Sequence, residues 1–189
     1  MRWHRSLLVV AAAALIAGCG NRHLVLQVDV LSYLDPSLTD FSFGPVPPVP
    51  GGLYTGEQKL LEDVEVNLLE GTGSVAEVQS VSIAMSVIAS DSTGAGTDTL
   101  RLYLSDPSVD PLTTTPAVIL PITFVPGVTD TVAVDLGSDS RVAELFTDKR
   151  MRLTLTAAVH GPESGDPLNA RVRLTGLDAV VVAGRKGDL

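Results

Sequence analysis

Apolar and polar residues alternate with a period of two along most of the chain, which is typical of β-strands that bury one face. Segment 78–90, VQSVSIAMSVIAS, shows this most clearly. Its apolar residues share one face and its small residues share the other: Val81, Ile83, Met85 and Val87 against Ser80, Ser82, Ala84 and Ser86. The same alternation is found at 24–33, 59–70, 99–105, 117–124, 129–137, 152–160 and 170–182. The pattern predicts about eight strands.

One segment departs from this period. SRVAELFTDK at 140–149 places Val142, Leu145 and Phe146 on one face of a short helix. Within the strands, Pro121 indicates an edge or a bulge because proline cannot donate to a ladder, and Gly176 breaks the alternation as a bulge would. Strands separated by turn signals, with one helix, predict an all-β fold: an antiparallel β-sandwich, immunoglobulin-like or related.

Two segments are predicted to be loops. The stretch 45–52 is rich in proline and glycine, and SDSTGAGTD at 90–98 is rich in small polar residues. Asp91 and Asp98 bracket the second loop, so their carboxylates could offer oxygen ligands to calcium. The spacing of an EF-hand loop is absent, and solvated turn residues explain the same pattern. Both interpretations stay open at this stage.

The N-terminus has a different character from the rest of the chain. Arg2 and Arg5 precede an unbroken apolar run at 7–17, and small residues follow it. This arrangement is typical of a secretory signal peptide. The run is too short for a transmembrane helix, which needs roughly 20 residues.

The end of this segment resembles a bacterial lipobox. Ile16, Ala17, Gly18 and Cys19 form the motif, with an aliphatic and two small residues before the chain's only cysteine. The resemblance implies that the thiol takes a diacylglyceryl group and that a peptidase cuts between Gly18 and Cys19. Because Gly20 is not the aspartate that retains enteric lipoproteins in the inner membrane, it also implies the outer membrane, if the cell has one.

These features predict the domain organisation. We expect a cleaved signal peptide at 1–18, a lipidated tether at 19–23, one sandwich domain at 24–184 containing the 45–52 loop, and a tail at 185–189. Cleavage leaves 171 of the 189 residues and changes the formal charge from −9 to −11, because two arginines and no acidic residue are lost. Such an acidic chain is expected to repel nucleic acid, which we do not predict as a partner.

Candidate chemistry is sparse. The mature chain keeps no cysteine beyond the anchor, so disulfides and thiolate metal sites are not expected. His160 begins the stretch HGPESGDP, where Glu163 and Asp166 could join it around a metal. A polar connection between two strands explains the same residues. No G-x-S-x-G nucleophile elbow is present, and we predict neither a cofactor nor a catalytic residue.

Three functional hypotheses follow. The first is a non-catalytic, lipid-anchored envelope protein with a structural role or a protein or cell-wall partner. The second is an envelope module that binds a glycan or lipid, although the mature chain has no tryptophan to stack on sugar rings. The third is a hydrolase or metal enzyme that uses His160 with the neighbouring acids. The first hypothesis is our prediction, since the sequence offers an anchor and a core but no catalytic constellation.

Overall fold

The computed structural model describes residues 23–66, 77–136, 140–147 and 151–184. Within these residues the chain forms nine strands and one α-helix, α1 (Ser140–Thr147). The strands are β1 (His23–Asp29), β2 (Asp40–Val46), β3 (Tyr54–Val66), β4 (Glu77–Thr93), β5 (Gly96–Ser105), β6 (Val118–Phe124), β7 (Thr129–Leu136), β8 (Met151–His160) and β9 (Leu168–Gly184).

The strands form two antiparallel sheets that face each other. Sheet A has the order β1-β9-β4-β7, and β2 also pairs with β9. Strand β9 is long enough for both partners: its first residues pair with β2 and its last seven pair with β1. Sheet B has the order β3-β8-β5-β6. The predicted antiparallel β-sandwich is confirmed.

The core lies between the two sheets, where the inward faces of the strands meet. Strand β4 alternates as predicted, with Val81, Ile83, Met85 and Val87 buried. Helix α1 adds Val142, Ala143 and Phe146 to the same core. The largest fully buried side chains come from both sheets: Leu61, Met85, Leu100, Leu102, Ile122, Phe124, Leu153, Leu155, Leu168 and Leu177. No helix among the described residues is long and apolar enough to cross a membrane.

The predicted edge and bulge are both present. Strand β6, which contains Pro121, is an edge strand of sheet B, so the missing N–H costs the sheet little. The pairing of β4 with β9 shifts register beside Gly176. A Cβ on Gly176 would lie 2.5 Å from the Ser86 Oγ atom, so the bulge also depends on the lack of a side chain there.

The prediction at 24–33 was wrong at its C-terminal end. Strand β1 stops at Asp29, and Val30–Tyr33 form a 3-10 helix. The Asp29 Oδ1 atom accepts a hydrogen bond from the Ser32 N–H at 3.2 Å, which caps this turn. The Pro-rich stretch at 45–52 also differs from the prediction. Its first two residues, Pro45 and Val46, belong to β2, which is a strand beyond the eight predicted. Phe41 and Phe43 of β2 are buried.

The loop predicted at 90–98 was also wrong. Strand β4 continues to Thr93 and β5 begins at Gly96, so only residues 94 and 95 lie between them. Pairing with β9 extends β4 as far as Thr93. The small polar residues at the end of β4 form a strand because the neighbouring strands supply their backbone hydrogen bonds.

The sandwich has two distinct ends. The loop end contains the β2–β3 loop (47–53), the β4–β5 turn (94–95) and the β8–β9 loop (161–167). At the N-terminal end, His23 and Glu77 both pair with Gly184. Strand β9 runs from the loop end to the N-terminal end, a distance of about 50 Å at roughly 3.3 Å per residue. Of the predicted segments, residues 1–22, 67–70, 137, 148–149 and 185–189 lie outside the described residues.

Candidate functional site

The β2–β3 and β8–β9 loops are joined by backbone hydrogen bonds. The Val49 N–H donates to the Pro162 carbonyl at 3.1 Å, and the Gly161 N–H donates to the Leu53 carbonyl at 2.8 Å. These bonds satisfy backbone groups that would otherwise need water. The two loops therefore form one continuous surface.

The β4–β5 turn packs against the same surface. Gly94 has a φ of +71°, and a Cβ at this position would lie 2.6 Å from the Asp166 carbonyl oxygen. Beside it, the Thr93 hydroxyl donates to the Pro167 carbonyl at 2.9 Å. The turn thus fixes the end of the β8–β9 loop by close backbone contact.

The three candidate metal ligands lie at this loop end. His160 is the last residue of β8 and pairs with Tyr54 of β3. Its imidazole lies against Gly52, where it occupies the space that a side chain would fill. Glu163 and Asp166 are exposed on the β8–β9 loop. The described residues contain no group of three His, Cys, Asp or Glu side chains that could hold a metal ion. The structure therefore does not gather these three residues into a metal site.

Asp98 is buried in β5 and is only 1% exposed. Its Oδ1 atom accepts a hydrogen bond from the Ala158 N–H at 2.9 Å. Its Oδ2 atom is buried and has no hydrogen-bond partner among the described residues. Burial raises the pKa of Asp98 to about 6, although the N–H groups of Ala158 and Thr99 and the charge of Arg101 act in the opposite direction.

The position of Asp98 corrects the prediction of a solvated turn residue. Because Asp91 belongs to β4 and Asp98 to β5, the two do not bracket a loop that could fold around calcium. Asp98 instead helps to hold β8 through the bond from Ala158. The following N–H of β8, that of Val159, donates to the Thr55 hydroxyl oxygen at 3.3 Å. Side chains from both flanking strands thus bond the backbone of β8.

A polar cluster covers the outer face of sheet B. The Tyr103 hydroxyl donates to the Glu57 Oε1 atom at 2.9 Å, and the Thr156 hydroxyl donates to the same oxygen. The Arg101 Nη1 atom lies 3.9 Å from it. Burial and the bond to Glu57 raise the pKa of Tyr103. The cluster shields Thr156, which is fully buried although it points away from the core.

The outer face of sheet A is different, since small and acidic side chains cover its middle part. One row of paired residues crosses the sheet from Asp29 to Asp178, Ala84 and Asp135. A shallow depression of about 300 Å³ lies along this row. The three carboxylates make this part of the face negative, and like charges on directly opposed strands are destabilising.

Sequence reasoning did not find the polar cluster or the buried carboxylate. Glu57 occurs before the alternation at 59–70 becomes visible, and Thr156 occurs in a segment whose polar residues were expected to face water. The contacts of both residues depend on which strands are neighbours, which periodicity does not reveal. The sequence offered one weak signal for the cluster. Threonines lie on the outer face of sheet B near two long charged side chains, those of Glu57 and Arg101.

Comparisons with known proteins find distant likenesses of the fold alone. No protein-family model matches the chain, and no curated protein matches it. A structure of the infectious bursal disease virus Gx strain is 10% identical, with a TM-score of 0.39, over 89% of this chain and 35% of that chain. The T13 particle of the same virus is 13% identical, with a TM-score of 0.41, over 95% of this chain and 37% of that chain. Its VP2 subviral particle is 12% identical, with a TM-score of 0.38, over 88% of this chain and 38% of that chain. The chain thus spans little more than a third of these proteins.

Proposed function

We propose that the chain is an exported lipoprotein of a bacterial cell envelope, held to the membrane by lipid on Cys19. The charged residues Arg2 and Arg5, the apolar run at 7–17 and the small residues before Cys19 support this proposal. One acyl chain binds a membrane only marginally, whereas two or three give a stable anchor at about 0.8 kcal/mol per buried methylene. In a cell with two membranes, the outer one is the proposed location.

The lipobox-like motif that ends at Cys19 carries this proposal, and the place where the sandwich begins sets how close the domain lies to the anchor. Strand β1 starts at His23, four residues after Cys19. Residues 19–23 reach at most about 17 Å when extended. A lipid on Cys19 would therefore hold the N-terminal end of the sandwich close to the bilayer and leave the loop end about 50 Å along the sheet. The loop end is the surface that we propose for contact with another envelope protein or with the cell wall.

A structural or protein-interaction role fits the loop end better than catalysis. A nucleophile or metal site needs an oriented base or several converging ligands. At the loop end, His160 packs against Gly52, while Glu163 and Asp166 are exposed on the adjoining loop. The joined loops offer a shaped, mixed polar surface of the kind that protein partners recognise.

Labelling with palmitate in growing cells tests the proposal. We expect the wild-type chain to incorporate label and to sediment with membranes, and the Cys19→Ala variant to lose both properties. Asn21→Ala is the matched control, because it changes the tether without removing the thiol, and it should keep the label. Equal label in the wild-type and Cys19→Ala chains would refute lipidation of Cys19.

A further inference from the structure

Valine side chains occupy the outer face of sheet A where β1 pairs with the end of β9, beside Ser80 and Ser82 of β4. Val25 of β1 pairs with Val182 of β9, and Val180 lies two residues away on the same face. Val25 is 55% exposed and Val180 is 38% exposed. The alternate residues, such as Leu26 and Val181, pack against the core from the same strands. The outer valines therefore form an apolar strip that faces away from the core.

The apolar strip ends where the acidic row begins. Gln27 pairs with Val180, and in the next row Asp29 pairs with Asp178. Asp29 lies four residues beyond Val25, which is about 13 Å along a strand. Carboxylates remain hydrated, because burying an unpaired charge is costly. The outer face thus changes from apolar to acidic within a short and defined distance.

The chain enters the sandwich directly beside the apolar strip. His23 begins β1 only two residues before Val25, so the strip lies between the tether and the acidic row. A tether of at most about 17 Å leaves little freedom for the strip to move away from the bilayer that holds Cys19. A surface that approaches β1 from its N-terminal end would meet these valines before it met Asp29 and Asp178.

We propose that the strip formed by Val25, Val180 and Val182 lies against the lipid bilayer and orients the sandwich on the membrane. This inference rests on the proposed lipidation of Cys19. The acyl chains supply the attachment, while the valines enter the interfacial region and select one tilt. The acidic row limits how deeply the face sinks, and it favours zwitterionic over anionic lipid. The loop end is then directed away from the membrane.

A tryptophan introduced into the strip can report its contact with lipid. The chain's only tryptophan is Trp3, which lies in the segment proposed to be removed. The variant Val25→Trp is expressed as the full chain, and the lipidated product is purified and reconstituted into phosphatidylcholine vesicles with brominated acyl chains. Val128→Trp is the matched control, since Val128 is 48% exposed and lies between β6 and β7, far from the strip.

We expect bromine to remove most of the emission of Val25→Trp and to leave that of Val128→Trp nearly unchanged. Equal quenching of the two variants, or none in Val25→Trp, would overturn the inference. Blue-shifted emission of Val25→Trp without quenching would also overturn it, because a second copy of the chain would then cover the strip. The intact mass of the same sample separates the two proposals. A chain without lipid on Cys19 refutes both, whereas a lipidated but unquenched chain refutes only the bilayer contact.

Discussion

The two ends of the sandwich are built in different ways. At the loop end, backbone hydrogen bonds join two loops, and Gly94 packs a third segment against them. At the N-terminal end, the strand ends His23, Glu77 and Gly184 lie side by side beneath an exposed apolar strip. Contacts between backbone atoms tolerate little change, whereas exposed valines tolerate much. Under the proposed function, the loop end is the surface for recognition and the N-terminal end is the base for attachment.

The largest expected effect tests whether the loop end is as tightly fitted as its contacts indicate. Gly94 and Gly127 have almost the same φ, +71° and +72°, but nothing lies within 4 Å of the Cβ position of Gly127. We expect Gly94→Ala to cost about 2–4 kcal/mol of unfolding free energy, from backbone strain plus overlap with the Asp166 carbonyl. Gly127→Ala should cost only the strain, about 1–2 kcal/mol. Urea unfolding followed by circular dichroism measures both, and equal losses would contradict the tight fit.

A second prediction concerns Asp98, near the loop end of β5. Its pKa of about 6 in the folded state lies above the ordinary value of 3.8, so the folded chain binds more protons between these two pH values. Stability should therefore fall as pH rises from about 4 to above 6, by about 2–3 kcal/mol in total. We expect Asp98→Asn to abolish this fall and to be more stable than wild type at pH 8.

The exposed Glu163→Gln variant is the control for this titration, and it should keep the wild-type profile. Unfolding free energies of the three proteins between pH 4 and 8 decide the matter. If Asp98→Asn retained the wild-type slope, the buried carboxylate would not be its source.

The smallest predicted effect compares the outer faces of the two sheets. Glu57→Ala removes the carboxylate that accepts from Tyr103 and Thr156, so we expect a loss of about 1–3 kcal/mol. Asp178→Ala is the counterpart on sheet A, where it relieves repulsion from Asp29, and it should be neutral or slightly stabilising. Thermal unfolding of both variants measures the difference. A greater loss in Asp178→Ala would reverse our interpretation of the two faces.

Periodicity predicted the strands wherever one face is buried and the other faces solvent. Strand β4 is the clearest example, since its apolar residues at 81, 83, 85 and 87 all enter the core. Pro121 and Gly176 also had the structural meaning expected of them, because their effect on backbone pairing is local. The sandwich therefore follows from patterns that each strand carries in itself.

The wrong predictions at 90–98 and in the Pro-rich stretch concern features that depend on neighbouring strands. Residues 90–98 have the composition of a loop, yet pairing with β9 extends β4 to Thr93. Phe41 and Phe43 lie beside a Pro-rich stretch, yet they belong to a strand whose pairing with β9 buries them. The cluster around Glu57 joins three strands that are distant in sequence. No local pattern identifies such partners, so these contacts needed the structure.

The central claim is that Cys19 is the lipidated first residue of the mature chain, and the intact mass of the protein purified from membranes tests it most directly. The account predicts a chain of 171 residues that begins at Cys19 and carries a diacylglyceryl group on the thiol. Acylation of the new amino group would add one further fatty acid to that mass. A full chain of 189 residues, or a chain with an unmodified cysteine, would contradict the claim.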